Sequence, residues 1–305
     1  MASKLMTMRE AIARFVPDGS SVALGLALEP LIPFAAGHEL IRQRRRDLRL
    51  IGPISDILFD QLIGAGCVTR VVAAWVGNVS EGLGYNYRRA AEQGLPHPIA
   101  IEDHSNYSIS LALLAGALGV PYIPMVSLLG SDIARDHPSI RPALSPLDGS
   151  PTLLVPALRP DVAIVHVQRA DEAGRAHVWG GLGIAEEAAL AARGVIYTAE
   201  DIVPSEVILS DPNRVLAPGA KTLAVVRAPG GAHPAPVQGH YNRDHAAFHE
   251  YHERTRTPEG FADWLREQVY NLPDRAAYLE HLGSERWQSL AVHEHRLAAP
   301  VGYGY

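Results

Sequence analysis

The chain has 305 residues, of which 47% are hydrophobic and 20% charged, and its formal net charge is −6. These values are typical of a soluble globular protein, and the negative balance argues against a general nucleic-acid-binding surface. No run reaches the roughly 18 apolar residues of a membrane span, and the N-terminus lacks the apolar stretch of a signal peptide. Because Cys67 is the only cysteine, an intrachain disulfide is excluded, and we expect a cytoplasmic protein.

Short apolar runs alternate with helical periodicity along most of the chain. The apolar, β-branched runs predict strands at residues 21–26, 48–51, 69–75, 99–102, 121–123, 162–168, 194–198 and 222–226. The helical patterns predict helices at residues 34–45, 56–65, 85–93, 108–118, 184–192 and about 202–209. Repeated strand–helix units predict an α/β fold, with an open, mainly parallel sheet covered by helices on both faces. Such sheets bind ligands at the carboxyl ends of their strands, so the candidate site lies on the loops that follow them.

Two segments depart from this alternation. Residues 130–156 are rich in Pro, Ser and Asp and have little periodicity, which predicts a long loop or flap within a core of residues 1–239. Residues 240–305 are aromatic, His-rich and helical in pattern, which predicts a helical C-terminal extension packed on the same domain. Thr257 is the predicted N-cap of one helix in this extension, directly before Pro258.

Two further patterns are typical of ligand sites but lack a required residue. Residues 181–186 approach a dinucleotide-binding turn, yet Glu186 occupies the position that needs Gly or Ala, so the pattern predicts a strand-to-helix turn. His245, His249 and His252 fall on one helix face, but no cysteine accompanies them and the His-Glu-x-x-His order is absent. We therefore expect no metal site and interpret this face as a partly buried contact between subunits.

Four segments carry the most specific pattern in the chain. They are residues 6–25, ending Ser-Val-Ala-Leu-Gly; residues 102–124, beginning Glu-Asp-His-Ser-Asn; residues 160–181, with Asp-Val-Ala-Ile-Val-His and Trp-Gly-Gly; and residues 228–234, Ala-Pro-Gly-Gly-Ala-His-Pro. In this order and at this spacing they resemble the α subunit of glutaconate CoA-transferase, within the family I CoA-transferases. The resemblance covers nearly the whole chain.

The resemblance implies a partner, a reaction and a set of substrates. In this family a glutamate on the β subunit, acting as a nucleophile, attacks an acyl-CoA, forms a mixed anhydride and becomes a glutamyl-CoA thioester. The present chain shows no β-type glutamate motif, so it is expected to act only with a β subunit, in an α2β2 or larger assembly. The implied substrates are an acyl-CoA and a carboxylate, and coenzyme A enters as a thioester substrate rather than as a permanently bound cofactor.

The turn after the first predicted strand is the first candidate for catalytic residues. Attack on a thioester creates an oxyanion, and each preorganised donor is worth about 3 kcal/mol. The resemblance places such donors on the backbone of Gly25 and Leu26, where the family has a glycine-rich turn of which only Gly25 remains. Taken without the resemblance, Gly25 is an ordinary strand-ending glycine. Ala27 and Glu29 are the adjacent candidates for substrate binding.

Residues 29–32 differ from the glutaconate pattern. Glutaconate-type α subunits have a basic pair in this segment, suited to the second carboxylate of a substrate, whereas here it reads Glu-Pro-Leu-Ile. This acidic, apolar segment argues against a dicarboxylate and favours a more apolar acyl chain.

Asn106 is the other catalytic candidate. Its amide can donate to the thioester oxygen, and many family members have a glutamine with that role at this position. The alternative is a helix N-cap. Related ring-opening hydrolases have a glutamate near this point that activates water, and an asparagine cannot act as that base.

Two further segments match positions that line the acyl pocket in the family. They are Val76, Gly77 and Asn78, after the third predicted strand, and Gly130 with Ser131, at the start of the predicted flap. A solvated loop is the alternative for each.

Two rival functions stay open beside the transferase. A CoA-ester or ring-opening hydrolase needs a water-activating carboxylate at the Gly25 turn, for which Glu29 and Glu102 are candidates. A non-catalytic acyl-CoA-binding subunit is favoured by the loss of most of the glycine-rich turn.

Overall fold

The computed structural model describes residues 3–292 and Gly302. Its strands are β1 Ser21–Ala23, β2 Leu48–Ile51, β3 Val68–Ala73, β4 Gly77–Asn78, β5 Gly82–Leu83, β6 Ala100–Asp103, β7 Tyr122–Met125, β8 Arg141–Leu144, β9 Pro151–Pro156, β10 Val162–Ala170, β11 Ala176–His177, β12 Gly194–Ile202 and β13 Thr222–Arg227. Its α-helices are α1 Met8–Phe15, α2 Phe34–Arg42, α3 Ile57–Gly64, α4 Tyr85–Gln93, α5 Asn106–Leu118, α6 Asp132–Asp136, α7 Ala185–Ala191, α8 Ser205–Leu209, α9 His245–Arg254, α10 Pro258–Leu265, α11 Arg275–Leu282 and α12 Ser284–Ser289.

The central sheet has the strand order β13-β12-β10-β1-β2-β3-β6, and every neighbouring pair along this path is parallel. The short strand β11 pairs with the end of β10 in the antiparallel sense. β10 is buried along nearly its whole length, as expected for a strand covered on both faces. Helices α2, α3 and α4 pack in succession, and α5 packs against α7. The predicted open, mainly parallel α/β sheet is confirmed.

Residues 130–156 depart most from the predicted elements. Instead of a loop or flap, the segment contains α6, β8 and β9, and β9 lies between β7 and β8 in an antiparallel sheet. The reason is a second, smaller hydrophobic core, in which Leu153 and Val155 pack with Met125 and with Leu111 of α5. Prolines lie within β8 and at both ends of β9, and they hide the alternating pattern of strands only four and six residues long.

Two predicted boundaries also differ from the structure. The first strand ends at Ala23, because the chain turns at Gly25 rather than continuing to residue 26. Where the sequence predicted a helix from about residue 202, β12 runs on to Ile202 and α8 begins only at Ser205. Pro204 explains this shift, since the residue before a proline avoids the helical conformation.

The C-terminal extension, described up to Val292 and at Gly302, packs against α2 and α3. Its side chains Phe248, Tyr251 and Phe261 belong to the same hydrophobic core as the central sheet. The Tyr251 hydroxyl donates to Asp60 of α3 at 2.7 Å. Thr257 caps α10 as predicted, and its hydroxyl accepts from the N–H of Gly260 at 3.1 Å. Within the described chain, no helix is both long and apolar enough to cross a membrane.

Candidate functional site

The turn after β1 has an unusual backbone. Gly25, Leu28 and Leu31 all have positive φ values, of 67°, 73° and 58°. Non-glycine residues in this region cost of order 1–3 kcal/mol each and persist only when their surroundings hold them. Two main-chain hydrogen bonds supply that support, from Ile184 to the Leu26 carbonyl at 2.9 Å and from Leu31 to the Pro236 carbonyl at 3.1 Å. A strained turn at the carboxyl end of a central strand is a candidate ligand site.

Gly25 is required by its neighbour Ser55, which lies in the turn after β2. A Cβ at position 25 would overlap the Ser55 hydroxyl, and that hydroxyl donates to the Leu24 carbonyl at 3.0 Å. Gly25 and Leu26 are both buried. Among the described residues, neither main-chain N–H has a hydrogen-bond acceptor. Since more than nine in ten buried backbone N–H groups are paired, two adjacent unpaired donors favour a ligand-binding turn.

The glycine pattern at residues 181–186 supports this turn from the other side. It is the predicted strand-to-helix turn, and it leads into α7. Gly183 has a φ of 54°, and a Cβ there would overlap the carbonyl oxygen of Leu26. The glycine therefore permits close packing between two loops of the same sheet edge. This role gives the pattern a structural reason that needs no nucleotide.

A buried ionic cluster joins the C-terminal extension to the turns after β1 and β2. The Arg243 guanidinium donates to Asp56 at 2.8 Å and to the Ser80 hydroxyl at 2.9 Å, and its Nη1 lies 3.7 Å from a carboxylate oxygen of Glu29. The side chains of Arg243 and Asp56 are fully buried, and the guanidinium stacks 3.6 Å from the Phe248 ring centroid. Burial raises the pKa of Asp56, while Arg243 acts to lower it.

The sequence did not reveal Arg243 as part of this cluster. The arginine lies 187 residues from Asp56 along the chain, in a segment without a recognisable motif. Asp56 itself has a positive φ of 45°, which is a local feature that a sequence does not show. The cluster therefore had to be found from the structure.

Glu29 and Glu102, the two carboxylates that a hydrolase would need, are both held by arginines. Glu102 accepts from Arg70 at 2.5 Å and from Arg49 at 3.4 Å, across β2, β3 and β6. Glu29 faces Arg243. Glu102 is thus directed along the sheet rather than at the Gly25 turn, and the hydrolase is not better supported than the transferase.

Asn106 is the first residue of α5, and Ser105 before it is the N-cap. The Ser105 hydroxyl accepts from the N–H of Ser108 at 3.0 Å, and the Ser108 hydroxyl accepts from the N–H of Ser105 at 2.9 Å. The alternative that Asn106 caps the helix is therefore wrong by one residue. Because Ser105 performs the capping, the exposed Asn106 amide is left available for a ligand.

Next to Asn106 lies a buried pair of histidines that sequence reasoning missed. The Nδ1 of His137 accepts from the N–H groups of Ser139 and Ile140, both at 3.1 Å, so its proton is on Nε2. This Nε2 donates to the Nε2 of His104 at 3.1 Å, and His104 in turn donates from Nδ1 to Ser108 at 2.9 Å. Burial lowers the pKa of His104 to about 3 and also lowers the pKa of His137. The neutral pair ties the smaller sheet to the end of β6.

The remaining pocket candidates serve mainly to position the backbone. The Asn78 amide donates to the Phe248 carbonyl at 2.8 Å, and the Asn78 side-chain oxygen accepts from the N–H of Ser80 at 3.1 Å. Gly77 pairs with Leu83 between β4 and β5. Val76 borders a cleft of about 420 Å³ that opens beside β3 and β6. The predicted acyl-pocket role is therefore most consistent with Val76 among these three residues.

Gly130 and Ser131 lead into α6. Gly130 is exposed and has a φ of 80°. Ser131 is the N-cap of α6, and its hydroxyl donates to the Leu128 carbonyl at 2.8 Å and accepts from the N–H of Ala134 at 3.2 Å. The hydroxyl is thus used in folding the turn.

The sheet order decides which of these residues meet. Gly25, Leu26, Ala27 and Glu29 form one turn, next to Asp56 and Arg243. Asn106 follows β6, which is separated from β1 by β2 and β3. Three strand spacings amount to about 14 Å. Gly25 and Asn106 therefore lie on the same edge of the sheet but too far apart to contact one oxygen atom.

The histidine face of α9 contacts residues of this chain. His249 lies 3.0 Å from a carboxylate oxygen of Glu81, and His252 lies 3.1 Å from the Tyr85 hydroxyl. These contacts lie within the chain, and the contact between subunits at this helix face stays a prediction. In the part of the chain that the structure describes, no group of three or more His, Cys, Asp or Glu residues could hold a metal ion.

Comparison with known proteins identifies the family. The model of the family described as Coenzyme A transferase matches residues 5–228. The chain is 38% identical to the A-type subunit of 3-oxoadipate CoA-transferase from Pseudomonas knackmussii, over 89% of this chain and 95% of the relative. It is 32% identical to the A-type subunit of glutaconate CoA-transferase from Acidaminococcus fermentans, over 95% of each.

The solved structures agree with the sequence relatives. The crystal structure of glutaconate coenzyme A-transferase from Acidaminococcus fermentans superimposes with a TM-score of 0.92, at 31% identity and with 98% of each chain covered. The resemblance inferred from four sequence segments is therefore confirmed. This chain belongs to the coenzyme A transferase family, as one of its α-type subunits.

Proposed function

We propose that this chain is the thioester-binding half of an acyl-CoA:carboxylate CoA-transferase, and that a separate β subunit carries the nucleophilic glutamate. The observation that carries the proposal is the pair of buried, unpaired N–H groups at Gly25 and Leu26. A buried donor without an acceptor costs about 1–3 kcal/mol. An oxyanion that forms during the reaction accepts hydrogen bonds from these donors. Because this removes the cost of leaving the donors unpaired, it stabilises the transition state.

The chemistry that these donors assist is an exchange of bonds at two carbonyl carbons. A glutamate oxygen attacks the thioester carbon, the carbon–sulfur bond breaks, and a mixed anhydride and a CoA thiolate result. The thiolate then attacks the glutamyl carbonyl and releases the first acid as its carboxylate. The acceptor carboxylate reverses these two steps and leaves as the new acyl-CoA. Every step places negative charge on a carbonyl oxygen, which is where main-chain donors are effective.

Asn106 contributes a second contact farther along the same edge. The strand spacing of about 14 Å prevents it from sharing one oxygen with the Gly25 turn. We assign its amide to the bound thioester substrate at the β6 end of the site. The first wall of the acyl pocket is then formed by Ala27 and Glu29, with Val76 farther along the edge, where it borders the cleft beside β3 and β6.

The charges at the Gly25 turn bear on the acyl group. Arg243 introduces a positive charge, but Asp56 at 2.8 Å and Glu29 at 3.7 Å already balance it. Among the described residues of this turn, no surplus positive charge is left for a second substrate carboxylate. We therefore propose that the acyl group at this turn is uncharged, although 3-oxoadipate, named for the 38% identical relative, is a dicarboxylate.

Two measurements test the proposal. Purified chain alone should transfer no CoA, and adding its cognate β subunit should produce transfer from an acyl-CoA to a carboxylate. Robust transfer by the single chain would refute the shared site. With the complex, butyryl-CoA should be a better donor than succinyl-CoA; a strong preference for succinyl-CoA would overturn the assignment of an uncharged acyl group.

A substitution at Asn106 tests its role. In the complex, Asn106→Ala should raise KM for the acyl-CoA about two- to tenfold and leave kcat nearly unchanged, because a hydrogen bond to the bound substrate away from the reacting oxygen contributes about 0.5–1.5 kcal/mol. Asn271→Ala is the matched control, because Asn271 is also an exposed asparagine at a helix terminus. Equal KM values for both variants would show that Asn106 does not contact the bound acyl-CoA.

Assembly and location follow from the same proposal. We propose an α2β2 or larger complex, and the naming of both relatives as one kind of subunit supports the need for a partner. The single cysteine, Cys67, is buried and free. A chain without disulfides suits the reducing cytoplasm, where acyl-CoA substrates would have to be present.

A further inference from the structure

Two carbonyl groups of the turn after β1 are held by hydrogen bonds, and the two unpaired donors lie between them. The Leu24 carbonyl accepts from the Ser55 hydroxyl at 3.0 Å, and the Leu26 carbonyl accepts from the N–H of Ile184 at 2.9 Å. The unpaired N–H groups are those of Gly25 and Leu26. Of the two hydrogen bonds, only the one from Ser55 uses a side chain, so it is the one that a substitution can remove.

The hydrogen bond from Ser55 sets the direction of the Gly25 N–H. The Leu24 carbonyl and the Gly25 N–H belong to one planar, trans peptide unit, so they point in opposite directions. Because the carbonyl oxygen faces Ser55, in the turn after β2, the Gly25 N–H points away from that turn. The same oxygen packs so closely against Gly52 that a Cβ there would overlap it. The donor is therefore held in one orientation before any substrate binds.

Ser55 is itself held in place by its surroundings. It is only 1% exposed, and its carbonyl accepts from the N–H of Leu58 at 3.1 Å, at the start of α3. The next residue, Asp56, has a φ of 45°, and its carboxylate accepts from Arg243 at 2.8 Å and from the Val79 N–H at 3.1 Å. A non-glycine residue keeps such a conformation only where its surroundings determine it, and such residues cluster at functional sites. The turn after β2 can therefore position a neighbouring main-chain donor.

We propose that Ser55 is a positioning residue for CoA transfer, whose hydroxyl orients the Gly25 N–H toward the oxygen that becomes negative in the transition state. This inference rests on the proposed function, in which Gly25 donates to that oxygen. In this role Ser55 acts through the main chain and not by contact with the substrate. A donor that is already oriented needs no reorganisation as the charge develops, and this preorganisation is the source of its catalytic effect.

Two serine-to-alanine variants separate this role from a merely structural one. Ser55→Ala removes the hydroxyl that holds the Leu24 carbonyl. The matched control is Ser20→Ala, because Ser20 is also buried, lies at the other end of β1, and donates from its hydroxyl to the Pro17 carbonyl at 2.6 Å. Each variant loses one hydrogen bond from a buried serine to a main-chain carbonyl. Both should therefore lower the urea midpoint of the chain by a similar amount.

The two variants should differ in catalysis. In complex with the cognate β subunit, Ser55→Ala should lower kcat about ten- to a hundredfold, since misplacing a donor costs no more than the roughly 10²–10³-fold loss from removing one. The KM for the acyl-CoA should stay nearly unchanged, because the oxyanion exists only in the transition state. Ser20→Ala should keep the wild-type kcat and KM.

The measurements are steady-state CoA transfer by each complex, titration of each chain with the β subunit, and urea unfolding. Equal kcat values for Ser55→Ala and Ser20→Ala overturn the inference. So does a raised KM with unchanged kcat, or a loss of β binding by Ser55→Ala, because Ser55 would then act in substrate binding or in assembly. If the wild-type complex transfers CoA and the two variants do not differ, the inference alone fails. If the wild-type complex forms but transfers no CoA, the proposed function fails, and the positioning role fails with it.

Discussion

The buried pair of Arg243 and Asp56 offers the sharpest test of how the C-terminal extension supports the site. Arg243→Met removes the guanidinium and keeps most of the aliphatic stem. It leaves Asp56 fully buried, with the Val79 N–H at 3.1 Å as its remaining hydrogen bond. It also removes the facing charge from Glu29. The variant therefore isolates the cost of an uncompensated carboxylate at the sheet edge.

The expected magnitude follows from burial. Breaking a buried ion pair by removing one partner costs about 3–5 kcal/mol, because the other charge stays desolvated. The stacking of the guanidinium over the Phe248 ring at 3.6 Å adds roughly 0.5–2 kcal/mol. We expect Arg243→Met to lower the free energy of unfolding by about 4 kcal/mol. Arg243→Met combined with Asp56→Asn should cost less than the sum of the two single variants, with a coupling of about 2 kcal/mol.

The pH dependence provides an independent check. Burial already raises the pKa of Asp56, and Arg243 is the main group that opposes this rise. In Arg243→Met the folded-state pKa of Asp56 rises further above its unfolded value, so folding favours the protonated acid. The stability deficit of the variant should be largest at neutral pH and shrink as the pH falls through the raised pKa.

The assay is urea-induced unfolding of the purified chain, followed by tryptophan fluorescence at several pH values. Arg266→Met is the control, since Arg266 and its partner Asp263 are both largely exposed, and such a pair contributes about 0–1 kcal/mol. The reasoning is refuted if Arg243→Met costs no more than Arg266→Met, or if the effects of Arg243→Met and Asp56→Asn are additive.

Three further predictions concern other parts of the molecule. Gly25→Ala should abolish transfer by the complex and destabilise the chain, because its methyl overlaps Ser55; adding Ser55→Gly should restore part of the stability in a thermal melt but not the strained φ of residue 25. His104 is buried, and its pKa falls from 6.5 to about 3 in the folded chain. The free energy of unfolding should therefore decrease as the pH falls from about 6.5 to about 3, and His104→Asn should make this decrease smaller. Thr257→Ala removes the cap of α10 and should cost about 1 kcal/mol in urea unfolding without changing kcat.

The central sheet was predictable because its strands carry a strong local signal. β10 and β12 are long, apolar and β-branched, and the helices α7 and α8 follow them along the chain, α7 after the short strand β11. The smaller sheet was not predictable from the same signal. β8 and β9 are short, contain or begin with proline, and are stabilised by a core that α5 completes. A strand whose partner surface is a helix far back along the chain gives little periodicity of its own.

The candidate site also has one part that the sequence predicted and another that it did not. The Gly25 turn and Asn106 were found because they follow predicted strands in a recognisable order. Arg243 and the pair of His104 and His137 were missed because their roles depend on contacts between distant segments. Ser105 could have been found, since Ser105 and Ser108 have the spacing of an N-cap and its reciprocal partner. That spacing assigns the N-cap to Ser105 and so excludes Asn106 as the cap.

The cluster around Arg243 also changes the meaning of the acidic segment after β1. From the sequence alone, Glu29 in place of a basic residue argued against binding of a second substrate carboxylate and left Glu29 as a candidate water-activating carboxylate. In the structure, Glu29, Asp56 and Arg243 form one ionic cluster. The positive charge of this cluster therefore comes from the C-terminal extension, and two carboxylates of the same chain neutralise it. We therefore propose that specificity for the acyl group and attachment of the extension depend on the same arginine. A change that freed Arg243 from its two carboxylates would alter the substrate range and the stability together, which is why the two must be measured on the same variants.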